Sequence, residues 1–198
     1  MVTGREVPLE AWLAALAART PTPSGGAAAA VSLASAAALA SMVARFSEES
    51  IPDAEELAAV ADSCRGEALE LAAADQAAVE ALYGRKAERT RGAPGRNEGP
   101  EADDDPTVDA PDPRQAAAEV PLRMVILAAS LRPLLARLES LGNPRLAGDV
   151  GVAVELAASG SAAAARLVRI DARSLAPEDR ASVLERLAEA EGRVASSG

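Results

Sequence analysis

Two aspartates interrupt the apolar stripes of predicted helices, and their surroundings make them candidates for chemistry. Asp75 lies four residues after Leu71 and seven before Leu82. Asp149 lies three residues after Leu146, on the inward side of a later helix. Burial disfavours the ionised form of a carboxyl group and raises its pKa, so each aspartate could serve as a general acid or proton relay near neutral pH. The alternative for each is a solvated or salt-bridged residue at the edge of its stripe.

A corner rich in proline and glycine precedes the most apolar part of the chain and is the second candidate for chemistry. Pro21 and Pro23 favour an extended chain, and Ser24 can cap a helix. Gly25 and Gly26 allow a ligand or another backbone to approach the first amides of that helix, where the positive end of the dipole favours an anion or a carbonyl oxygen. The alternative is a tight turn that leads the helix into a crowded core.

The composition limits what other residues can contribute. The chain has no histidine, so acid–base chemistry falls to carboxylates, arginine, Tyr83 or Cys64. Two isolated aspartates make a poor ligand set, and we expect no metal site. A net charge of −10 argues against a nucleic-acid partner. A single cysteine excludes an intrachain disulfide, and the start of the chain shows no secretory signal, so we expect a cytoplasmic protein.

The segment after the glycine corner predicts the helix around which the others are arranged. From Ala27 to Ala44 no residue is charged, and most residues are alanine, the strongest helix former. Because no face is polar, we expect this helix to be buried on all sides. The segment is long enough to span a membrane, but alanine and serine contribute little transfer energy and no aromatic or basic anchors precede it. We therefore expect a central helix of a soluble protein and no membrane partner.

The remaining pattern predicts an all-α fold, an antiparallel up-and-down bundle of five to six helices in a single domain of residues 1–198. The other predicted helices begin near Leu9, Pro52, Asp112, Pro144 and Pro177. The first should end near Arg19, and the one from Pro52 should reach Gly84 or a few residues beyond.

Three irregularities are predicted within this bundle. Pro121 and Pro133 should kink the helix that contains them. Gly160 should break or bend the helix that starts at Pro144. Residues 85–111 are dense in glycine, proline and charge, which predicts a flexible loop, either a lid over a site or an inert insertion.

Four segments carry motifs in a fixed order along the chain. They are LAARTPTPSGGAAAAVSLASAAALASM at 16–42, LELAAADQAAVEAL at 69–82, AAAEVPLRM at 116–124 and LGNPRLAGDVGVAVELAASGSAAAA at 141–165. Together they resemble the formimidoyltetrahydrofolate cyclodeaminase / methenyltetrahydrofolate cyclohydrolase family. In that family a glycine-rich turn opens an alanine-rich helix, and Asp75 falls on the position regarded as catalytic there. Pro121, Asn143 and Asp149 are in register with the later segments.

The resemblance implies a helical bundle that forms a homodimer and takes a tetrahydrofolate derivative as substrate, with no tightly bound cofactor. The family reactions are cyclisation of 5-formimidoyltetrahydrofolate to 5,10-methenyltetrahydrofolate with release of ammonia, and hydrolysis of the methenyl form to 10-formyltetrahydrofolate. Both need proton transfer at a departing nitrogen, the role implied for Asp75. The residues assigned to substrate binding by the resemblance are Pro23, Ser24, Gly25, Gly26, Asn143 and Asp149.

The chain departs from the family pattern in ways that keep a second function open. Its turn reads Pro-Ser-Gly-Gly, residues 47–50 lack the basic and aromatic residues usual there, and the Asn-Val-x-Ile-Asn pattern appears as Leu167 to Asp171. Added acidic residues should weaken binding of the glutamate tail of folate. The alternative is a catalytically silent helical dimer of the same fold that binds another small ligand or a protein partner.

Overall fold

The structure is a computed structural model that describes residues 7–91 and 112–195, with side chains described for 7–84 and 112–194. This part of the chain contains helices and no strand, which confirms the predicted all-α fold. The helices are α1 (Leu9–Leu16), α2 (Gly25–Arg45), α3 (Ala54–Arg91), α4 (Pro113–Leu141), α5 (Ala147–Asp171) and α6 (Pro177–Ala195). Short 3-10 helices at Pro144–Leu146 and Ala172–Ser174 flank α5.

Helix boundaries differ from the predicted ones at two places. Helix α1 ends at Leu16, earlier than Arg19, and α3 continues to Arg91. Residues 85–91 therefore belong to α3 and not to the predicted loop. The rest of that loop, 92–111, lies outside the described residues, and the choice between a lid and an insertion stays open.

Helix α2 contacts α3, α4 and α5 and forms the centre of the bundle. Its alanines let the neighbouring helices approach closely, while Leu33 and Val43 fill the space between them and are fully buried. Ser35 is exposed, so the expectation that α2 is buried on all sides is wrong for one strip of its surface in a single chain.

Polar contacts fix how α2 lies against α3. Near the C-terminal end of α2, Ser41 Oγ donates to Asp62 Oδ1 at 3.0 Å. At the other end, Ala27 N donates to Asp75 Oδ2 at 3.0 Å. Residues with higher numbers on α3 therefore contact residues with lower numbers on α2. The N-terminal end of α2 lies beside residues far along α3.

Helix α5 packs against α2 without a break at Gly160, so the predicted break is wrong and the predicted bend stays a prediction. A Cβ atom at Gly160 would lie 2.9 Å from Leu33 Cγ and 3.0 Å from Ala29 O. One turn earlier, Ser32 Oγ donates to Leu156 O at 3.0 Å. The glycine therefore allows close contact between two continuous helices. The up-and-down order of the whole bundle and its dimerisation stay predictions.

Helix α4 passes through Pro121 and Pro133 as one continuous helix. It begins as predicted, where Asp112 Oδ1 accepts a hydrogen bond from Arg114 N at 3.1 Å, and Leu141 is its last residue. The predicted kinks at the two prolines stay predictions.

Helix α6 closes the bundle against the end of α5. The guanidinium of Arg180 donates to the carbonyl oxygens of Ala172, Arg173 and Leu175, which lie just beyond α5. Ion pairs join Arg186 to Glu119 and Arg169 to Glu191, each at 2.6 Å. Because these side chains are largely exposed, each pair stabilises the fold by about 1 kcal/mol or less.

Two described helical stretches are long and apolar enough to cross a membrane, Gly25–Arg45 and Pro144–Ser174. The first is α2, and 61% of its most apolar stretch is buried inside the protein. A central helix of a soluble bundle has the same length and composition, so these two stretches are weak evidence for a membrane protein.

Candidate active site

The carboxylate of Asp75 lies against the N-terminal end of α2. Its Oδ2 atom accepts hydrogen bonds from Ser24 Oγ at 2.8 Å and from Ala27 N at 3.0 Å. Only 7% of the surface of Asp75 is exposed to solvent. An anion in this position is stabilised by the helix dipole and by the otherwise unpaired amide of the first turn. The structure therefore places Asp75 beside the predicted glycine corner, inside the bundle.

The two glycines of the corner have different functions. A Cβ atom at Gly26 would lie 1.9 Å from Asp75 Oδ1, so only glycine leaves room for the carboxylate. At Gly25 a Cβ atom would meet nothing within 4 Å. The close approach permitted by Gly26 is thus made by another side chain of the same protein, while Gly25 faces open space. The backbone N–H groups of both glycines have no hydrogen-bond acceptor among the described residues.

The second oxygen of Asp75 is accessible to solvent. Oδ1 accepts no hydrogen bond from the described residues, whereas Oδ2 accepts two. Among the described side chains, no fully buried nitrogen or oxygen atom lacks a partner. Oδ1 must therefore retain some contact with solvent, and a substrate at the corner could reach it.

The surroundings of Asp75 act on its pKa in opposite directions. Burial raises the pKa of this carboxyl above its usual value, while the hydrogen bonds from Ser24 and Ala27 lower it. Burial is the larger effect, so the net shift is upward. A carboxyl group with a raised pKa can release and take up a proton closer to neutral pH than an ordinary aspartate.

A second carboxyl group, that of Asp171, shares this environment. Asp171 is the last residue of α5, and its side chain is half-buried. Burial, together with the negative charge of Asp75, raises the pKa of Asp171 to about 6. The two carboxyl groups are thus close enough to repel each other, and no hydrogen bond joins them.

The sequence contains the same signal at Asp171 as at Asp75. Asp171 lies three residues after Val168 and seven after Ala164, both of which are buried. It is therefore a carboxylate on an apolar stripe, which is the criterion that predicts a role for Asp75. The predicted site residues do not include Asp171.

Asn143 lies at the opposite end of α2 from Asp75. Its backbone N–H donates to Ser47 Oγ at 2.9 Å, and its Nδ2 donates to Phe46 O at 3.1 Å. Its Oδ1 accepts from Arg145 N at 3.0 Å and caps a short helix. These contacts join the α4–α5 connection to the end of α2. Because α2 is about 30 Å long, Asn143 and Asp75 are not brought together within one chain.

Asp149 is likewise separated from Asp75. It lies half-buried in the first turn of α5, close to the Asn143 end of the bundle. No hydrogen bond or ion pair connects its side chain to the described part of the chain. Asn143 and Asp149 therefore lie apart from Asp75 within one chain, and the prediction that they bind the substrate stays a prediction.

The remaining corner residues surround the entry to α2. Pro23 is half-buried and follows a cis peptide bond from Thr22. Thr22 Oγ1 donates to Glu80 Oε1 at 3.0 Å, which ties the corner to α3 one turn beyond Asp75. Pro23, Ser24, Gly25 and Gly26 thus lie together around the carboxylate.

The other residues considered for proton transfer are poorly placed. Tyr83 is exposed near the end of the described part of α3, and Cys64 is buried in the core. Burial raises the pKa of the Cys64 thiol, which disfavours the reactive thiolate. The described residues contain no group of three or more side chains suited to hold a metal ion, and the expectation of no metal stays a prediction.

Comparison with known proteins identifies the family. The family model described as formiminotransferase-cyclodeaminase matches residues 8–191. The chain is 32% identical to a methenyltetrahydrofolate cyclohydrolase of Methylorubrum extorquens over 199 aligned residues, covering 96% of this chain and 90% of that protein. This protein belongs to the formiminotransferase-cyclodeaminase family.

A solved structure supports the same assignment at the level of the fold. The formiminotetrahydrofolate cyclodeaminase of Thermotoga maritima superposes with a TM-score of 0.80 at 26% identity, covering 97% of this chain and 92% of that one. The predicted resemblance is thus confirmed. This member of the formiminotransferase-cyclodeaminase family carries Asp75 and Asp171 at one corner of that fold. None of the comparisons favours the catalytically silent alternative.

Proposed function

We propose that this protein performs acid–base chemistry on the one-carbon unit of a tetrahydrofolate derivative at the corner where Asp75 meets α2. As a member of its family, it is a folate one-carbon enzyme of the cyclodeaminase or cyclohydrolase kind. The reaction is either cyclisation of 5-formimidoyltetrahydrofolate with loss of ammonia or hydrolysis of 5,10-methenyltetrahydrofolate. The residues proposed to contact substrate around Asp75 are Pro23, Ser24, Gly25 and Gly26.

The observation that carries this proposal is the asymmetric environment of the Asp75 carboxylate. Oδ2 is fixed by Ser24 and Ala27, while Oδ1 is accessible. A fixed carboxylate with one free oxygen and a raised pKa can transfer a proton to or from a bound substrate without losing its position. Both family reactions pass through a tetrahedral carbon between two nitrogens, and both need such a transfer.

The open side of the corner supplies groups for binding. The N–H groups of Gly25 and Gly26 have no acceptor among the described residues and lie at the positive end of α2, where they suit a pterin carbonyl or a carboxylate. Asn143 and Asp149 are not part of this site in one chain, and any contact they make with the same substrate requires a second copy. We infer a homodimer, a cytoplasmic location and no tightly bound cofactor, and each of these inferences rests on the family resemblance.

The test measures turnover of both folates by the purified protein. Loss of 5,10-methenyltetrahydrofolate is followed by its near-UV absorbance, and ammonia release is measured with the formimidoyl substrate. Asp75→Asn keeps the size of the side chain and removes its acid–base function, so we expect turnover to fall by about 100- to 10,000-fold.

A control variant separates loss of chemistry from loss of folding. Glu155→Gln changes an exposed carboxylate on α5 and should leave turnover unchanged. Circular dichroism and thermal melting establish that each variant is folded. A folded Asp75→Asn protein with undiminished turnover would remove Asp75 from the proposal.

A further inference from the structure

The helix contacts bring the C-terminal end of α5 to the same corner as Asp75. Gly160 lies against Ala29 and Leu33, and Ser32 Oγ donates to Leu156 O. Residues with higher numbers on α5 therefore contact residues with lower numbers on α2. From Gly160 to the end of α5 is about 16 Å of helix, enough to reach and pass the start of α2. Asp171 therefore lies at the end of α2 that Asp75 occupies.

Among the described residues, the carboxylate of Asp171 has no neutralising partner. It makes no side-chain hydrogen bond or ion pair with the described residues. From α6, Arg180 donates instead to backbone carbonyls beyond α5, and Arg169 is paired with Glu191. Helix α2 carries no charge near its N-terminal end, and Arg173 beside Asp171 is exposed. The charge that acts on Asp171 from a neighbouring element is that of Asp75 on α3.

The two carboxyl groups differ in their hydrogen bonds and in the charges that surround them. Asp75 is held by two hydrogen bonds that favour its ionised form. Asp171 has none, stands at the negative end of the α5 dipole and faces the charge of Asp75, so it retains its proton to higher pH. Two neighbouring carboxyl groups in unequal environments can divide the roles of base and acid.

We propose that Asp171 is a second catalytic residue, which donates a proton to the departing nitrogen of the folate while Asp75 acts as the base. This inference rests on the proposed function of the corner, and it is specific to this chain, because the family pattern has asparagine where this chain has Asp171. The two groups are near enough to interact and share no hydrogen bond, and we infer that the one-carbon unit and the attacking water bind between them.

For hydrolysis of the methenyl substrate, the protons and electrons balance with these two residues. Asp75 takes one proton from water as the water oxygen bonds to the one-carbon atom. The bond from that carbon to N5 then breaks, its electron pair stays on nitrogen, and Asp171 supplies the proton that nitrogen gains. The hydroxyl proton returns to Asp171 as the formyl carbonyl forms on N10. Asp75 releases its proton to solvent, so one water is consumed and one proton is released.

The first experiment examines the two carboxyl groups without substrate. Carbon-13 NMR titration of the side-chain carboxyl groups is recorded for the wild type and for Asp75→Asn. We expect Asp171 to titrate well above an ordinary aspartate in the wild type and at lower pH in the variant, where the charge of Asp75 is absent. Titration of Asp171 at an ordinary value in the wild type, or no change at Asp171 when the Asp75 charge is removed, would overturn the inference even if the enzyme is active.

The second experiment measures kcat/KM against pH for the folate that the wild type turns over. Because Asp171 must be protonated, wild-type kcat/KM should fall as pH rises through about 6, the value set by burial and Asp75. Asp171→Asn should lose about 100-fold or more in kcat with little change in KM, and this alkaline limb should disappear. Asp171→Glu, which restores the carboxyl group, should recover part of the rate.

The outcomes separate the two proposals. If the wild type is active and folded Asp171→Asn keeps its rate and pH profile, the role of Asp171 is overturned and the function of the corner stands. If the wild type turns over neither folate, both proposals fail. Glu155→Gln removes an equal charge from the exposed side of α5 and should reproduce the wild-type profile.

Discussion

Two aspartates, Asp75 and Asp171, lie at the glycine corner of a bundle whose described core contains few polar side chains. Asp75 is held by Ser24 and Ala27, whereas Asp171 is half-buried and its carboxyl group accepts no hydrogen bond from the part of the chain that the structure describes. A carboxyl group whose pKa is raised in the folded state opposes folding once it ionises. The residue proposed to carry the proton should therefore reduce stability at neutral pH.

This effect should be visible in the pH dependence of unfolding. Between the ordinary aspartate pKa of 3.8 and about 6, the folded state holds more protons at Asp171 than the unfolded state does. The free energy of unfolding should therefore fall as pH rises through this window. The full shift corresponds to about 3 kcal/mol, and because the group is only half-buried we expect about 1 kcal/mol. Urea unfolding of Asp171→Asn should show this gain over the wild type at pH 7 and not at pH 4.

A matched variant makes that measurement specific. Glu155 lies on the same helix and is exposed. The unfolding curve of the Glu155→Gln variant should therefore follow that of the wild type at both pH values. Curves for Asp171→Asn and the wild type that stay parallel from pH 4 to pH 7 would contradict the raised pKa.

At the scale of helices, the close contact of α2 with α5 decides where Asp171 lies. Gly160 permits that contact, because any side chain there would meet Leu33 and the carbonyl oxygen of Ala29. The interface also sets how far the end of α5 extends beyond the glycine corner.

Substitution of Gly160 should therefore destabilise the protein. We expect Gly160→Ala to lower the free energy of unfolding by about 1–3 kcal/mol, because the added methyl group must displace Leu33 or separate the helices. Gly151→Ala is the control on the same helix, where a Cβ atom meets nothing within 4 Å, and it should stabilise by about 0.5–1 kcal/mol. Thermal melts of the two variants should move in opposite directions. A neutral Gly160→Ala would show that the two helices can separate at no cost.

These helices also show how much could be predicted from sequence. Periodicity and caps predicted the all-α fold, the start of α4 at Asp112 and the inward position of Asp75, because each depends on local spacing. The continuity of α5 through Gly160 depends on which helix packs there, which a local pattern does not contain. The separation of Asn143 and Asp149 from Asp75 within one chain likewise follows from the lengths and directions of helices, which neither a local pattern nor the family resemblance contains.

The negative charge of the protein opposes binding of the proposed substrate. The chain carries a net charge of −10, and the corner itself presents Asp75, Asp171 and Glu80. Folate bears a glutamate tail, so its approach to this surface is opposed at low ionic strength, where charges act over about 30 Å.

Added salt should therefore raise kcat/KM of the enzyme. Raising NaCl from 0.01 to 0.15 M shortens the screening length to about 8 Å, and we expect kcat/KM to rise by about two- to fivefold. The measurement is the initial rate at low substrate across this range, with KCl at equal ionic strength as the control for ion identity. A fall in kcat/KM with salt would indicate an attractive basic surface that the described residues do not reveal.

The space between Gly26 and Asp75 links the residues that these two positions can hold. Because a methyl group at position 26 would lie 1.9 Å from Asp75 Oδ1, any larger residue there must displace the carboxylate from its place beside Ser24 and Ala27. Side chains other than glycine at position 26 are therefore compatible with this corner only when position 75 carries a side chain shorter than aspartate.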